Sequence, residues 1–168
     1  IRAHQRIQRR RPAGYLAEQS VSHDVETDRF ILRVGGRIDG VFPSATPPLV
    51  EEIKTTTGDL DSAAEAQNPL HWGQLKVYAY MYAYGRRLEA MDARLTYVQL
   101  ETGKTRRVDH RFSFADLRSF FDDLLGRYMD WASTVIEFRK IRDRSISTLA
   151  FPYTEYRGGQ RQMAVGCY

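Results

Sequence analysis

The sequence predicts an α/β domain with a mixed central sheet flanked by helices. The first observation is the order of its patterns: a helix, several strands, a helix, a hairpin and a final helix. The second is composition, because 168 residues with 42% hydrophobic and 27% charged side chains can close the core of one domain. The third is the lack of an internal repeat, which argues against a solenoid or a propeller.

The first elements are expected to be a helix and a strand. Residues 1–10 are compatible with a helix, and Pro12 and Gly14 would end it. Residues 15–22 then alternate apolar with polar side chains, which is the pattern of a strand with one buried face. The sheet is therefore expected to begin here.

A meander of short antiparallel strands should follow. Residues 30–34 and 38–42 have strand composition, and Gly35–Gly36 between them predicts an interruption. Residues 49–55 form a further predicted strand, because apolar and β-branched side chains dominate it.

The second half is predicted to hold a central helix, a hairpin and a last helix. Residues 68–85 are helical in composition, and residues 95–100 and 106–112 flank a tight polar turn that favours a hairpin. Ser113 is placed to cap the last helix. Its apolar residues recur at helical spacing: Phe114, Leu117, Phe120, Phe121, Leu124, Leu125 and Tyr128.

Composition excludes several classes of protein. Cys167 is the one cysteine, which rules out an internal disulfide framework, a Cys-rich zinc site and a protein-held iron–sulfur cluster. Because the chain has a single cysteine, we expect a cytoplasmic protein. No apolar run approaches the roughly 20 residues that span a bilayer, so we expect no membrane partner. The chain begins without Met on basic, helix-compatible residues, so we expect it to belong to a longer protein.

Positive charge is concentrated at the start of the chain. The formal net charge is +4, and Arg9, Arg10 and Arg11 come before the first acidic residue, Glu18. Such a segment can contact the phosphates of a nucleic acid, or it can be a solvated helix face. Charge alone leaves both interpretations open.

Carboxylates and a lysine mark the candidate site. Asp39 closes the stretch Gly36–Arg37–Ile38–Asp39, and Glu52–Ile53–Lys54 follows thirteen residues after Asp39. Side chains alternate along a strand, so Glu52 and Lys54 should share one face while Ile53 points into the core. If Asp39 ends a neighbouring strand, two carboxylates and the Ile53 carbonyl could bind a hard cation such as Mg²⁺ or Mn²⁺. That arrangement suits phosphodiester hydrolysis, which needs a metal and a group that holds the attacking water.

Each of these residues also has a structural interpretation. Asp39 could cap a turn beside Gly40, and Glu52 and Lys54 could be an ordinary exposed pair. Gln74, Tyr78 and Tyr82 lie four residues apart on one predicted helix face, where the two tyrosines could stack bases or pack on the sheet.

Three motifs in order resemble the PD-(D/E)xK nuclease superfamily and, within it, the RecB-like and Cas4-like branch. The branch shows a GxxD motif, an ExK strand and a QxxxY helix. They appear here as Gly36–Arg37–Ile38–Asp39, Glu52–Ile53–Lys54 and Gln74–Leu75–Lys76–Val77–Tyr78. The resemblance covers about residues 1–130 and implies a restriction-endonuclease-like fold. It also implies that Asp39 and Glu52 bind metal, that Lys54 assists the water, and that Gln74 and Tyr78 act beside the site.

The same resemblance makes His4 a candidate metal ligand, because a histidine of the family's first helix often supplies a nitrogen. A histidine in a basic helix can equally be a polar surface residue. Glu18 could approach the site from the first strand, whereas Glu51 should point away from it. His71 could contact the substrate or cover the core edge, and Trp72 is expected in the core.

The end of the chain resembles a second family. Residues 151–157 and 160–163 are similar to the segment before the Walker A loop of DinG/XPD-like superfamily 2 helicases, with Tyr156, Arg157 and Gln160 matching its aromatic–Arg–x–x–Gln pattern. No GxxxxGK[ST] loop is present, so we expect no ATP hydrolysis by these residues. We therefore expect a nuclease domain over residues 1–145, and a linker with the start of a helicase over residues 146–168.

The function predicted from the sequence is metal-dependent hydrolysis of DNA. Single-stranded DNA is the expected substrate, because the family resemblance and the stacking tyrosines favour it. The expected partner besides DNA is a helicase domain of the same full-length chain, in DNA repair, recombination or defence. The alternative is a non-catalytic nucleic-acid-binding module that guides DNA to a helicase.

Overall fold

A computed structural model of the protein describes residues 2–28, 30–150 and 154–167. Its strands are β1 (Leu16–Glu26), β2 (Ile31–Phe42), β3 (Leu49–Thr56), β4 (Ala90–Gln99) and β5 (Thr105–Ser113). Its helices are α1 (Arg2–Gln8), α2 (Leu60–Glu65), α3 (Pro69–Arg86), α4 (Phe114–Ser147) and α5 (Gln160–Gly166).

The five strands form one mixed sheet in the order β1-β2-β3-β4-β5. The β3–β4 pair is parallel, and the other pairs are antiparallel. A parallel pair needs a long crossover connection, which α2 and α3 supply between β3 and β4. The α/β class with a mixed sheet flanked by helices is thereby confirmed.

Helices α1 and α3 cover the sheet around its centre. Helix α3 packs against β1 to β4, and its Leu75 and Ala79 are fully buried in the main core with Ile38, Val50 and Leu95. Helix α1 contacts β2 and β3, and its Ile7 forms a second small cluster with Ile53 and Val98. Ile53 is thus a core residue, as its place between Glu52 and Lys54 predicts.

Strand β2 runs without a break through Gly35–Gly36. The predicted interruption is wrong, because β2 stays paired with β1 along almost its whole length. The pairing runs from Ile31 opposite Glu26 to Val41 opposite Leu16. Gly36 instead makes room for a neighbour: a Cβ at this position would lie 2.6 Å from the Tyr78 ring. The glycine is needed for packing on the strand and does not end it.

Two other elements differ from the expected ones. Helix α2 was not predicted, and it begins where the Asp59 side chain accepts a hydrogen bond from the Ser62 N–H, at 2.8 Å. Strand β4 begins at Ala90, five residues before its predicted start. Its pairing with β5 already begins there, with Ala90 opposite Ser113.

The start of α4 follows the predicted cap. The Asp116 N–H donates to Ser113 Oγ at 3.1 Å, and the Ser113 N–H donates to Asp116 Oδ2 at 3.3 Å. This reciprocal pair satisfies groups that the first turn of a helix leaves free.

The chain divides into two compact units, residues 1–125 and 126–168. The predicted domain boundary at residues 145/146 stays a prediction. Of the residues in the helicase-like segment, Phe151, Pro152 and Tyr153 lie outside those that the structure describes. Across the three described ranges, none of the helices combines the length and apolar character of a bilayer span.

Candidate active site

Asp39 lies where β2 and β3 separate. Their pairing runs from Phe42 opposite Leu49 to Gly40 opposite Glu51, and it ends there. The Asp39 side chain takes over the next position, since its Oδ2 accepts the Ile53 N–H at 2.7 Å. Asp39 is thus fixed beside the ExK strand by a bond to its middle residue.

Helix α1 closes over this fork. His4 Nδ1 lies 3.3 Å from Asp39 Oδ1, and its side chain is 30% exposed. Gln8 Nε2 donates to the Asp39 carbonyl at 2.9 Å and to Glu18 Oε1 at 2.8 Å. The structure therefore brings both His4 and Glu18 to the site, which the sequence alone does not decide.

Gln8 and Tyr15 are site residues that sequence reasoning missed. Tyr15 OH donates to the Asp39 carbonyl at 3.3 Å, and a Cβ on Gly40 would overlap the Tyr15 ring. The Asp39–Gly40 dipeptide is the available signal, because a glycine within a strand often marks the close approach of another group. Burial and the nearby Glu51 and Asp39 carboxylates raise the pKa of Tyr15 far above its usual range, although Arg11 acts in the opposite direction.

A chain of hydrogen bonds links the ExK strand to the QxxxY helix. Lys54 Nζ donates to Glu52 Oε1 at 2.8 Å and to Gln74 Oε1 at 2.7 Å. Gln74 Nε2 in turn donates to Tyr78 OH at 3.2 Å. Lys54 is therefore held by two acceptors, and the predicted site residues on β3 and α3 do lie together.

Glu52 is the most deeply buried carboxylate of this chain of bonds. Its side chain is 5% exposed, and its Oε2 is buried without a hydrogen-bond partner among the described residues. Burial and the Asp39 carboxylate raise the pKa of Glu52 to about 7, although Lys54 acts in the opposite direction. An unpaired buried carboxylate oxygen beside a second carboxylate is costly unless a cation compensates it.

The donor set fits a hard divalent cation. Asp39 and Glu52 supply carboxylate oxygens, which Mg²⁺ and Mn²⁺ prefer, and His4 adds a nitrogen. A strand residue directs its N–H and C=O to the same neighbour, so the Ile53 carbonyl faces the fork that holds Asp39. As the side chains stand in the described ranges, no three His, Cys, Asp or Glu residues form a metal-binding group.

Glu51 points away from the site, as predicted. It is fully buried on the other face of β3, where Arg11 and the Thr96 hydroxyl bind its carboxylate. The Arg11 side chain is 7% exposed, so it is not available to a nucleic acid. Neither of the two interpretations of the basic segment, a phosphate contact or a solvated helix face, therefore applies to Arg11, because its guanidinium is buried against Glu51.

The aromatic residues of α3 have separate roles. Tyr78 lies over Gly36 beside the site, but Tyr82 is 1% exposed and packs in the core. The hypothesis that Tyr82 stacks a base is wrong, because its ring is buried in the core and the Arg86 guanidinium lies 3.7 Å above it. Tyr80 is also buried and stacks on Phe121, and Trp72 belongs to the core as predicted.

Comparison with known proteins adds little. No protein-family model matches the chain, and no curated protein matches it. SSO0001, a protein of known crystal structure, is similar over 66% of this chain and 49% of its own, with 17% identity and a TM-score of 0.42. The chain thus spans about half the length of SSO0001. A likeness this slight carries no information about the site residues.

Proposed function

We propose that the chain is a metal-dependent deoxyribonuclease that hydrolyses phosphodiester bonds, with single-stranded DNA as its substrate and Mg²⁺ or Mn²⁺ as its cofactor. The observation that carries the proposal is the acidic pair of the partly buried Asp39 and the buried Glu52, with Glu52 Oε2 unpaired and Lys54 immobilised beside it. The order of the three motifs, which resembles the PD-(D/E)xK nucleases, supports the same function.

The side chains divide the work of such a reaction. Asp39, Glu52, the Ile53 carbonyl and His4 would hold the cation. When bound, it would polarise the phosphodiester and lower the pKa of the attacking water. Lys54, held by Glu52 and Gln74, would orient this water and offset charge that develops on the phosphate. Tyr78 supports Gln74 and borders the substrate side.

The proposed setting is a larger nuclease–helicase protein of the cytoplasm, acting in DNA repair, recombination or defence. The helicase part of this proposal rests on Tyr156, Arg157 and Gln160. The Arg157 N–H donates to Gln160 Oε1 at 3.0 Å, so two of these residues are in contact.

A cleavage assay tests the function. Labelled single- and double-stranded DNA would be incubated with Mg²⁺, with Mn²⁺ and with EDTA. We expect cleavage that requires the metal and stops with the chelator. Robust cleavage in excess EDTA would overturn the proposed role of the carboxylates.

Metal binding can be measured without activity. Mn²⁺ should raise the melting temperature of the wild-type protein, because a ligand that binds only the folded state stabilises it. Asp39→Asn should remove both this shift and cleavage, whereas the exposed Asp122→Asn should keep both. DNA binding without any cleavage or metal-induced shift would support the non-catalytic binding module instead.

A further inference from the structure

His71 of α3 lies near the hydrogen-bonded pair of Lys54 and Gln74. His71 and Gln74 are three residues apart on α3 and so share a helix face. Their partners are also adjacent, because Lys54 on β3 and Tyr97 on β4 are paired in the parallel register. Gln74 bonds to Lys54 at 2.7 Å, and His71 Nδ1 lies 3.1 Å from Tyr97 OH.

The Tyr97 hydroxyl fixes the tautomer of His71. Tyr97 is 3% exposed, and a buried phenol needs an acceptor for its O–H hydrogen. His71 Nδ1 is its one hydrogen-bond partner in the described part of the chain. Nδ1 therefore accepts, and a neutral imidazole in this tautomer carries its hydrogen on Nε2.

The Nε2–H of His71 is available for a ligand. It makes no hydrogen bond within the described ranges, and it is not among their buried unpaired atoms, so it reaches solvent. Burial and the nearby Lys54 ammonium lower the pKa of His71, which keeps the ring neutral at neutral pH. The result is an oriented, uncharged donor beside the lysine of the site.

We propose that His71 is a substrate-binding residue that donates its Nε2–H to a phosphate oxygen of the DNA strand, at the phosphodiester next to the one beside Lys54. This inference rests on the proposed function, because it assumes that a nucleic acid occupies the site. A neutral donor suits this place, since it binds a phosphate oxygen without adding positive charge next to Lys54.

The tautomer can be tested without DNA. Nitrogen-15 NMR of histidine-labelled protein, with the His71 signals assigned from His71→Gln, should show an Nε2–H imidazole. Tyr97→Phe should shift these signals toward the mixture of a freely exchanging ring. An Nδ1–H tautomer in the wild-type protein would overturn the proposal, because Nε2 would then have no hydrogen to donate.

Binding tests the contact itself. Fluorescence anisotropy with a single-stranded oligonucleotide, in a Glu52→Gln background to prevent cleavage, should show about tenfold weaker binding for His71→Ala. His71→Gln should retain most of the affinity, since its amide nitrogen can replace Nε2. His110→Ala, which removes an exposed histidine of β5, is the matched control and should bind as tightly as the background protein.

Salt dependence separates a neutral donor from a cation. The slope of log affinity against log salt should be the same for His71→Ala and its background at pH 8, because no charge is lost. A flatter slope, or unchanged affinity of His71→Ala, would overturn the proposal.

Failure of the proposed function gives a different pattern. A wild-type chain that binds DNA but never cleaves it would refute the nuclease function, while the His71 comparison would still decide this inference. A wild-type chain that binds no DNA would overturn both. Cleavage by the wild-type chain with unchanged binding of His71→Ala would remove His71 alone.

Discussion

Glu51 and Glu52 are consecutive carboxylates with opposite environments. Both are buried, but β3 directs them to opposite faces of the sheet. Glu51 has a full set of partners in Arg11 and Thr96, whereas Glu52 keeps one oxygen unpaired and shares Lys54 with Gln74. The hydrogen bonding of Glu51 is complete within the fold, whereas the unpaired oxygen of Glu52 is available for a cation.

Lys54 should be required for turnover and not for DNA affinity. Lys54→Ala removes the group that orients water, so cleavage is expected to fall by about 10²–10³-fold. Affinity for single-stranded DNA should change little, because the basic surfaces remain. Lys76→Ala is a control on α3, where the lysine lies over the Phe112 and Phe120 rings. Equal loss of affinity and turnover in a folded Lys54→Ala protein would favour a simple binding patch.

Glu52 should make the metal-free protein less stable as the pH rises. The pKa of Glu52 is about 7 in the folded state, against an ordinary value of 4.5 for a glutamate side chain. Below about pH 4.5 Glu52 is protonated in both the folded and the unfolded state, so it does not change the free energy of unfolding. Between about pH 4.5 and 7 the unfolded state releases the proton while the folded state keeps it, so the free energy of unfolding falls across this range. The loss at pH 8 is on the order of 3 kcal/mol, from about 1.4 kcal/mol per pKa unit.

Urea unfolding in EDTA at pH 5 and pH 8 measures this effect. Glu52→Gln cannot ionise, so it should gain stability relative to the wild-type protein between the two pH values. Glu65→Gln changes an exposed carboxylate and serves as the control. Wild-type and Glu52→Gln proteins with a constant difference in stability would contradict the burial argument.

At the scale of elements, β2 is the strand that positions the site. Its pairing with β3 ends at Gly40, its Asp39 lies at the fork, and its Gly36 leaves room for the ring of Tyr78 from α3. The glycine of the GxxD motif thus has a packing role, because it leaves room for Tyr78. Tyr78 accepts a hydrogen bond from Gln74, which in turn accepts one from Lys54.

Gly36→Ala should disturb this support, whereas Gly35→Ala should not. A Cβ at Gly36 would lie 2.6 Å from Tyr78, but at Gly35 its nearest contact is the Val21 carbonyl at 3.3 Å. Overpacking of this kind costs about 1–3 kcal/mol, so Gly36→Ala should lower both the melting temperature and the rate of cleavage. Equal effects of the two substitutions on melting temperature and cleavage would show that Tyr78 does not depend on Gly36.

Some of the site's geometry could be predicted from local patterns and some from the resemblance. Strand alternation and spacing predict that Asp39, Glu52 and Lys54 lie together. The place of Gln74 and Tyr78 beside them is what the resemblance to the PD-(D/E)xK nucleases implies. The contacts of α1 could not be predicted, because Gln8–Asp39 and Arg11–Glu51 join residues 31 and 40 positions apart without a shared period. The continuity of β2 was missed because a glycine pair indicates a turn as readily as close packing.

At the scale of the whole molecule, the site belongs to one of the two units. Residues 1–125 contain every proposed ligand, the Lys54–Gln74–Tyr78 chain and both core clusters. The unit of residues 126–168 includes the rest of α4 and the short helix α5. In the described part of the helicase-like segment, residues 154–167, no residue is buried.

Deletion after Ala150 should therefore leave fold, metal binding and cleavage nearly unchanged. The removed residues contribute no buried side chain among those described, so little apolar area is lost and the free energy of unfolding should change by less than about 0.5 kcal/mol. Thermal unfolding with and without Mn²⁺, together with the cleavage assay, measures all three properties. Substitution of Ala for Tyr156 and Arg157 in the full chain is the matched control for an effect of the helicase-like residues alone. If the truncated chain unfolds while this double variant does not, the segment belongs to the nuclease core and the expectation of a helicase junction at this point loses its main support.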